Sequence, residues 1–151
     1  MKILLAGGAG FLGCHLAESL VSRGYGVDIL DNLASGSKNN LISLGDKIRF
    51  VKRDITDFKT EARNDFVVNF ASRASRVEWE KKPVEVAITN SVGSINLIKI
   101  VLESKARYIY GSSSEVYGDA RVVPTPESYM GCVSSTGSRS PYDEGKDSVR
   151  P

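Results

Sequence analysis

The chain has 151 residues, 41% of them apolar and 25% charged, and carries a net charge of +2. These proportions describe one ordinary folded domain and exclude a disordered tail or a fibrous repeat. No basic stripe argues for nucleic acid, no run approaches the ~20 apolar residues of a membrane span, and the apolar start turns into glycine too early for a signal peptide.

The two cysteines, Cys14 and Cys132, stand far apart, and with one histidine, His15, they offer no metal-ligand spacing. The expected setting is therefore cytoplasmic, metal-free and away from membranes. The first element is the apolar run Lys2 to Ala6, stopped by Gly7-Gly8, which reads as a buried strand. Phe11 to Arg23 carries Phe11, Leu12, His15, Leu16 and Leu20 at helical spacing, with Gly24 as the stop. Val27 to Leu30 forms a second strand, and Ile48 to Val51, Phe66 to Phe70 and Arg107 to Tyr110 read as three more. Between the last two, Val84, Ile88, Val92, Ile95, Ile98 and Leu102 recur every three or four residues, which predicts a long amphipathic helix over 84–103. Strands alternating with helices imply an α/β fold, a Rossmann-type doubly wound parallel sheet. After Gly111 the composition turns to loop chemistry, and a helix beginning near Tyr142 has at most ten residues before the end of the sequence. The whole of 1–151 thus reads as one dinucleotide-binding domain that lacks its C-terminal strands and substrate-binding part.

Between the first strand and helix stands Gly7-Gly8-Ala9-Gly10-Phe11-Leu12-Gly13. Glycines at this spacing allow a tight turn, close approach of backbone to a pyrophosphate, and close helix–strand packing. The N–H groups at the start of the helix then face the phosphates. Asp31 follows Gly13 by eighteen residues at the end of the second strand, where an acid accepts hydrogen bonds from an adenosine ribose. A carboxylate there repels a 2′-phosphate, so NAD is expected rather than NADP. Two later segments carry chemistry: Gly111 to Gly118 after the fifth strand, at the sheet edge where ligands sit, and Tyr142-Asp143-Glu144-Gly145-Lys146. Tyr and Lys at i and i+4 share a helix face, and a nearby cation favours the phenolate of a general base. Duller readings make His15 a helix residue packed beside the glycine turn, Cys14 a small buried side chain and Trp79 a packing residue. Lys38 reads as a solvated charge, or as one that approaches the adenosine.

These stretches, with Asp31 to Gly36, Arg53 to Ile55, Asn69 to Ser75, Ser113 to Asp119 and Ser138 to Lys146, resemble the extended short-chain dehydrogenases/reductases that act on nucleotide sugars. Within that NAD-dependent epimerase/dehydratase family the nearest likeness is to the UDP-glucuronate decarboxylases. The resemblance implies a cofactor site of Gly7, Gly10, Phe11, Leu12, Gly13, Asp31, Asn32, Ser35 and Gly36. Asp54 and Ile55 would flank the adenine, Ala71 and Arg73 the pyrophosphate, and Asn90 would lie beneath the cofactor. It implies that Tyr142 takes a proton from the sugar C4 hydroxyl, that Lys146 tunes Tyr142 and holds the nicotinamide ribose, and that Ser113 bonds sugar and tyrosine. Glu115, with Ser114 beside it, would stand near the substrate carboxylate. The implied reaction oxidises UDP-glucuronate to a 4-keto sugar, releases CO₂ and yields UDP-xylose. Ser114 stands where a 4,6-dehydratase carries an acid, and Glu115 where a 4-epimerase carries a small residue. Tyr129 to Arg139 and Arg73, where the family has a proline, depart from the pattern, and the match fades over Asp147 to Pro151. With the substrate half missing, little turnover is expected of the chain alone, and a non-catalytic NAD-binding module is the reading of another class. The family pairs as homodimers through the helix over 84–103 and a second helix mostly absent here.

Overall fold

In the computed structural model, which describes residues 1–149, the elements run β1 (Lys2–Ala6), α1 (Phe11–Ser22), β2 (Gly26–Asp31), β3 (Ile48–Lys52) and β4 (Phe66–Asn69). They continue with α2 (Arg76–Lys81), α3 (Pro83–Ile88), α4 (Ser94–Ser104), β5 (Arg107–Tyr110) and α5 (Ser140–Asp147). A 3-10 segment covers Lys38–Lys47, a π-helical turn Thr89–Gly93, and a 3-10 turn Ser114–Tyr117. Arg150 and Pro151, where the family pattern fades, lie outside the described residues. The chain divides into two compact units, one of Met1–Ser72 with Gly93–Gly111, the other of Arg73–Val92 with the chain from Ser112 onward.

The first unit is a five-stranded parallel sheet in the order β3-β2-β1-β4-β5. Its strands are short apolar runs because both faces are covered, and alternate residues serve opposite faces. Ile3 and Leu5 of β1 join Val27, Ile29, Val68 and α1's Cys14 and Ala17 in one core. Leu4 and Ala6 join Leu30, Val67 and α4's Leu97 and Ile100 in the other. Leu5, Ile29, Leu30, Val67 and Leu97 are fully buried, each burial stabilising by about 1.5–3 kcal/mol. Chain order reverses between β1 and β4, so the loops after these two strands leave the same sheet edge side by side. That edge, at a topological switch point, is where α/β sheets bind ligands.

Two helix faces differ from the apolar spacing. Phe11 and Leu12 are exposed, and α1 meets the sheet through Gly13, Cys14 and Ala17, small residues that let the helix sit close. His15 is not packed beside the turn: its side chain is 64% exposed, edge-on to Phe11 at 5.2 Å and 3.8 Å from Glu18. In α3 and α4 the buried residues are Val86, Ser94, Leu97 and Ile100, with Asn90 of the intervening turn, while Val84, Ile88, Val92, Ile95 and Leu102 are exposed. The stretch Pro83–Ser104 also corrects the expectation on membrane spans. It is 22 helical residues, long and apolar enough to cross a membrane by length and composition alone, because Ala, Ser, Thr and Gly fill positions between its apolar residues.

Candidate functional site

The glycine loop belongs to the first unit. Gly7 has φ +78°, its N–H donates to Leu30 C=O at 2.8 Å, and a Cβ on it would fall 2.6 Å from Ala71 N. Only glycine meets both demands. Gly10 caps α1 in extended backbone with no side-chain cap bond among the described residues, and the first helical bond runs from Cys14 N–H to Gly10 C=O. The N–H groups of Phe11, Leu12 and Gly13 therefore precede the hydrogen-bonded ladder, as the first-turn donors of a helix do. A twelve-residue helix with no side-chain cap bond, behind a loop in which a Cβ on Gly7 or Gly13 would strike backbone, has the donor set and the dipole that suit a pyrophosphate. Phe11 and Leu12 contribute backbone to it, since their side chains are exposed.

Asp31 ends β2 and is buried. One carboxylate oxygen accepts from Ala9 N–H at 2.9 Å and the other from Leu33 N–H at 2.8 Å, with Leu33 held at φ +62°. The carbonyl of Ala9 in turn accepts from Ser37 N–H at 3.0 Å and Asn40 Nδ2 at 2.8 Å. Gly36 passes close above, where a Cβ would lie 2.9 Å from Ala9 C=O. Asp31 thus fixes the middle of the glycine loop, and its two further lone-pair positions remain for a ribose diol. Asp31→Ala should cost about 1–3 kcal/mol through the orphaned loop N–H groups. It should also weaken NAD binding at least ~10-fold and relax selection against NADP; titration calorimetry with both nucleotides checks this, and an unchanged preference would place the ribose elsewhere.

At the ends of β2 and β3, Asn32 Nδ2 donates to Asp54 at 2.6 Å, and Asp54 also accepts from Thr56 N–H and hydroxyl. Ser35 is exposed on this loop. Ile55 is buried, its carbonyl accepting from Asn96 Nδ2 at 2.8 Å and its side chain filling the space that a Cβ on Gly93 would need. Ala71 N–H donates to Asn69 Oδ1, and Asn69 Nδ2 donates to Ser94 Oγ and Tyr108 Oη, each at 3.0 Å. Burial pushes the Tyr108 phenol up, against the bonds from Asn69 and Ser94. Lys38 is exposed, in keeping with a solvated charge, and its Nζ sits 5.7 Å over the Phe50 ring.

The remaining predicted residues lie in the second unit. Pro141 opens α5, and the face of Tyr142, Asp143, Gly145 and Lys146 is buried. Gly145 permits close packing, since a Cβ there would fall 2.9 Å from the Cβ of Asn90, whose Nδ2 donates to Val86 C=O. Lys146 lies on the face of Tyr142, with Nζ 5.9 Å from its ring centroid, and burial lowers its ammonium from 10.5 to about 8. Tyr142 stacks on Trp79, centroids 4.8 Å apart at 29°. Trp79 is therefore no mere filler, and its Nε1 donates to Arg73 C=O at 3.0 Å. Arg73 itself pairs with Glu78. Ser113 caps the 3-10 turn of Ser114–Tyr117, its Oγ accepting from Glu115 N–H at 3.3 Å, while Ser114 is exposed. Glu115 forms an ion pair with Arg139. Among the described residues no three of His, Cys, Asp and Glu are grouped to hold a metal.

Residue spacing missed Arg139, Trp79, Asn40 and Asn69. Their roles come from partners far away in the chain, and a lone Trp or Asn carries no periodic signal. With the cradle, the Asp31 anchor and the Tyr142/Lys146 face in place, comparison with known proteins is decisive: the NAD dependent epimerase/dehydratase family model matches residues 3–149. The chain belongs to that family, and its cofactor is NAD. UDP-glucuronic acid decarboxylase 1 of Arabidopsis thaliana is 38% identical over 148 residues, 97% of this chain and 34% of that protein. The UDP-glucose 4-epimerase of Thermotoga maritima superposes with TM-score 0.83 at 32% identity, over 97% of this chain and 48% of the epimerase. The dTDP-glucose 4,6-dehydratase of Streptomyces venezuelae, solved with NAD bound, gives 0.85 at 28% identity, over 98% and 49%. The chain thus spans less than half the length of these relatives.

Proposed function

We propose that this chain carries the NAD-binding and proton-transfer part of a UDP-glucuronate decarboxylase that forms UDP-xylose through a 4-keto sugar. The observation that carries the reading is the second unit's pairing of a Tyr142/Lys146 helix face with a carboxylate, Glu115, on a turn capped by Ser113. Its likeness to the UDP-glucuronic acid decarboxylases supports it further. NAD, when bound, supplies a hydride acceptor and then a hydride donor for sugar C4.

Tyr142 takes the proton of the C4 hydroxyl as that carbon is oxidised. Lys146 stays largely protonated at neutral pH even with its ammonium lowered to about 8, and so favours the phenolate beside it. The C4 ketone then stands β to the C6 carboxylate. The C5–C6 bond breaks heterolytically, CO₂ leaves, and the electron pair moves onto the ketone oxygen as an enolate, which hydrogen bonds from Tyr142 and Ser113 would stabilise. A proton from water is added to C5 in place of the lost carboxylate, and Tyr142 gives its proton back to O4 as C4 is reduced, which completes UDP-xylose. The cytoplasm suits such a reaction, and a second copy of the chain would cover exposed residues such as Val84, Ile88 and Val92.

Incubation of the chain with NAD and UDP-glucuronate, with CO₂ and UDP-xylose followed by mass spectrometry, tests the reading. Turnover is expected to produce both, and Tyr142→Phe should lower it by about 10²–10⁴-fold. A 4-keto-6-deoxy sugar formed from UDP-glucose would replace the reading by a dehydratase. NAD binding without turnover of any nucleotide sugar would leave a binding module.

A further inference from the structure

A cavity of about 450 Å³ opens in the second unit, with Glu115, Asp119, Cys132, Arg139 and Asp143 in its wall. Arg139 is the one cation among the described residues that line it, beside three acids. Its Nη2 is paired with Glu115, and its Nε lies 3.9 Å from Asp143 Oδ2. The guanidinium rests over the Trp79 ring at 5.7 Å, the same ring on which Tyr142 stacks. Trp79 is itself anchored through Nε1 to Arg73 C=O. One indole therefore sets both the cation and the candidate base. The Arg139 side chain is 51% exposed, so a ligand entering the cavity reaches it.

A guanidinium carries five N–H donors in a planar fork that suits a carboxylate. In the sugar-free protein a side-chain carboxylate, that of Glu115, already occupies one edge. A ligand carboxylate arriving there finds its counter-charge only by sharing or replacing Glu115, because the other charged groups of the wall are acids. Burial pushes the Asp143 carboxyl up, and the charge of Arg139 works against that shift. Asp143 Oδ1 is buried with no hydrogen-bond partner among the described residues, which leaves Asp143 a further polar atom on this wall.

We propose that Arg139, seated on Trp79 and held by Glu115, is the specificity-determining residue that reads the C6 carboxylate of a uronic-acid nucleotide sugar by carboxylate exchange with Glu115. The inference rests on the uronate reading above. A sugar with a C6 hydroxyl offers the fork one uncharged acceptor and has no charge to exchange for that of Glu115. A uronate swaps one ion pair for another and frees Glu115 beside the reacting group.

Trp79 is the only tryptophan, so its emission reports the ring on which Arg139 sits. The test titrates the full chain, saturated with NAD, with UDP-glucuronate and separately with UDP-glucose, following that emission. The native chain should prefer UDP-glucuronate by about tenfold or more, and Arg139→Gln should bring the two within about twofold. Arg139→Lys should keep a preference of roughly threefold, because the charge stays while the fork is lost. Glu115→Gln, which removes the competing carboxylate, should tighten UDP-glucuronate alone. An arginine of purely structural value would change both sugars alike in every variant. Arg139→Gln retaining the full preference, or Glu115→Gln weakening UDP-glucuronate, overturns the inference and leaves the uronate reading standing. A native chain that binds both sugars equally, or neither, overturns that reading and the inference with it.

Discussion

Gly13→Ala should weaken NAD binding at least ~10-fold and destabilise the fold by roughly 1–3 kcal/mol or more. The added Cβ would overlap the Gly7 carbonyl oxygen and stand 2.7 Å from Gly8 Cα. Both obstacles are backbone, so no rotamer change relieves them, and α1 must move outward from the loop. That movement opens the contacts of Cys14 and Ala17 with Ile3, Leu5 and Ile29, which close packing built. It also re-aims the first-turn N–H groups, on which the phosphate cradle depends. In a chain of this size each kcal/mol should lower Tm by about 2–4 °C. Gly24→Ala is the control. Gly24, unlike Gly13, has positive φ, but a Cβ there meets nothing within 4 Å, so only the backbone cost of about 1–2 kcal/mol applies and NAD affinity should hold. Calorimetric NAD titration beside thermal melts separates the two effects. A Gly13→Ala chain that binds NAD as tightly as the native one would remove the loop from the pyrophosphate site.

That contrast also shows what the sequence can and cannot announce. Gly7, Gly10 and Gly13 are legible because each answers a local demand: a left-handed φ, a helix start, or a contact with residues six positions away. The five strands follow equally from local apolar runs, and their observed limits differ from the expected ones by a residue or so. Helix faces do not follow. Pro83–Ser104 holds two interleaved apolar stripes, and the one that goes inside is the poorer by hydropathy, because Asn90 and Ser94 complete it. Ser94 is tolerated there since its hydroxyl accepts from Asn69, a partner twenty-five residues away. The candidate site divides along the same line. Tyr142 and Lys146 share a face by spacing alone, whereas Glu115 meets Arg139, and Trp79 meets Tyr142, only through the fold. Asp31 was legible as an acid at a strand end, but its bonds from Ala9 N–H in the glycine loop and from Leu33 N–H were not.

Lys146→Met should stabilise the chain at pH 7 by about 3 kcal/mol while abolishing any turnover. Lys146 is only 2% exposed, and burial lowers its ammonium from 10.5 to about 8. Because the folded value lies below the unfolded one, the unfolded chain holds the extra proton between these limits, and native stability rises with pH across that window. Below about pH 8 both states are protonated, and the folded state bears the full cost of a desolvated charge. At about 1.36 kcal/mol per tenfold in proton affinity, the interval from 10.5 to about 8 corresponds to about 3 kcal/mol. Methionine has a similar shape and no charge to desolvate, so the variant's advantage should be greatest at neutral pH, shrink from about pH 8 upward and vanish near 10.5. Denaturant melts of both chains from pH 7 to 10.5 measure this directly. A difference that stays flat over that range would show that Lys146 does not titrate in the buried position. The direction of the effect bears on function. A buried cation kept at such cost against the ring of Tyr142 gives up stability for a charge at that place, which supports the proposed role of Tyr142 as the base.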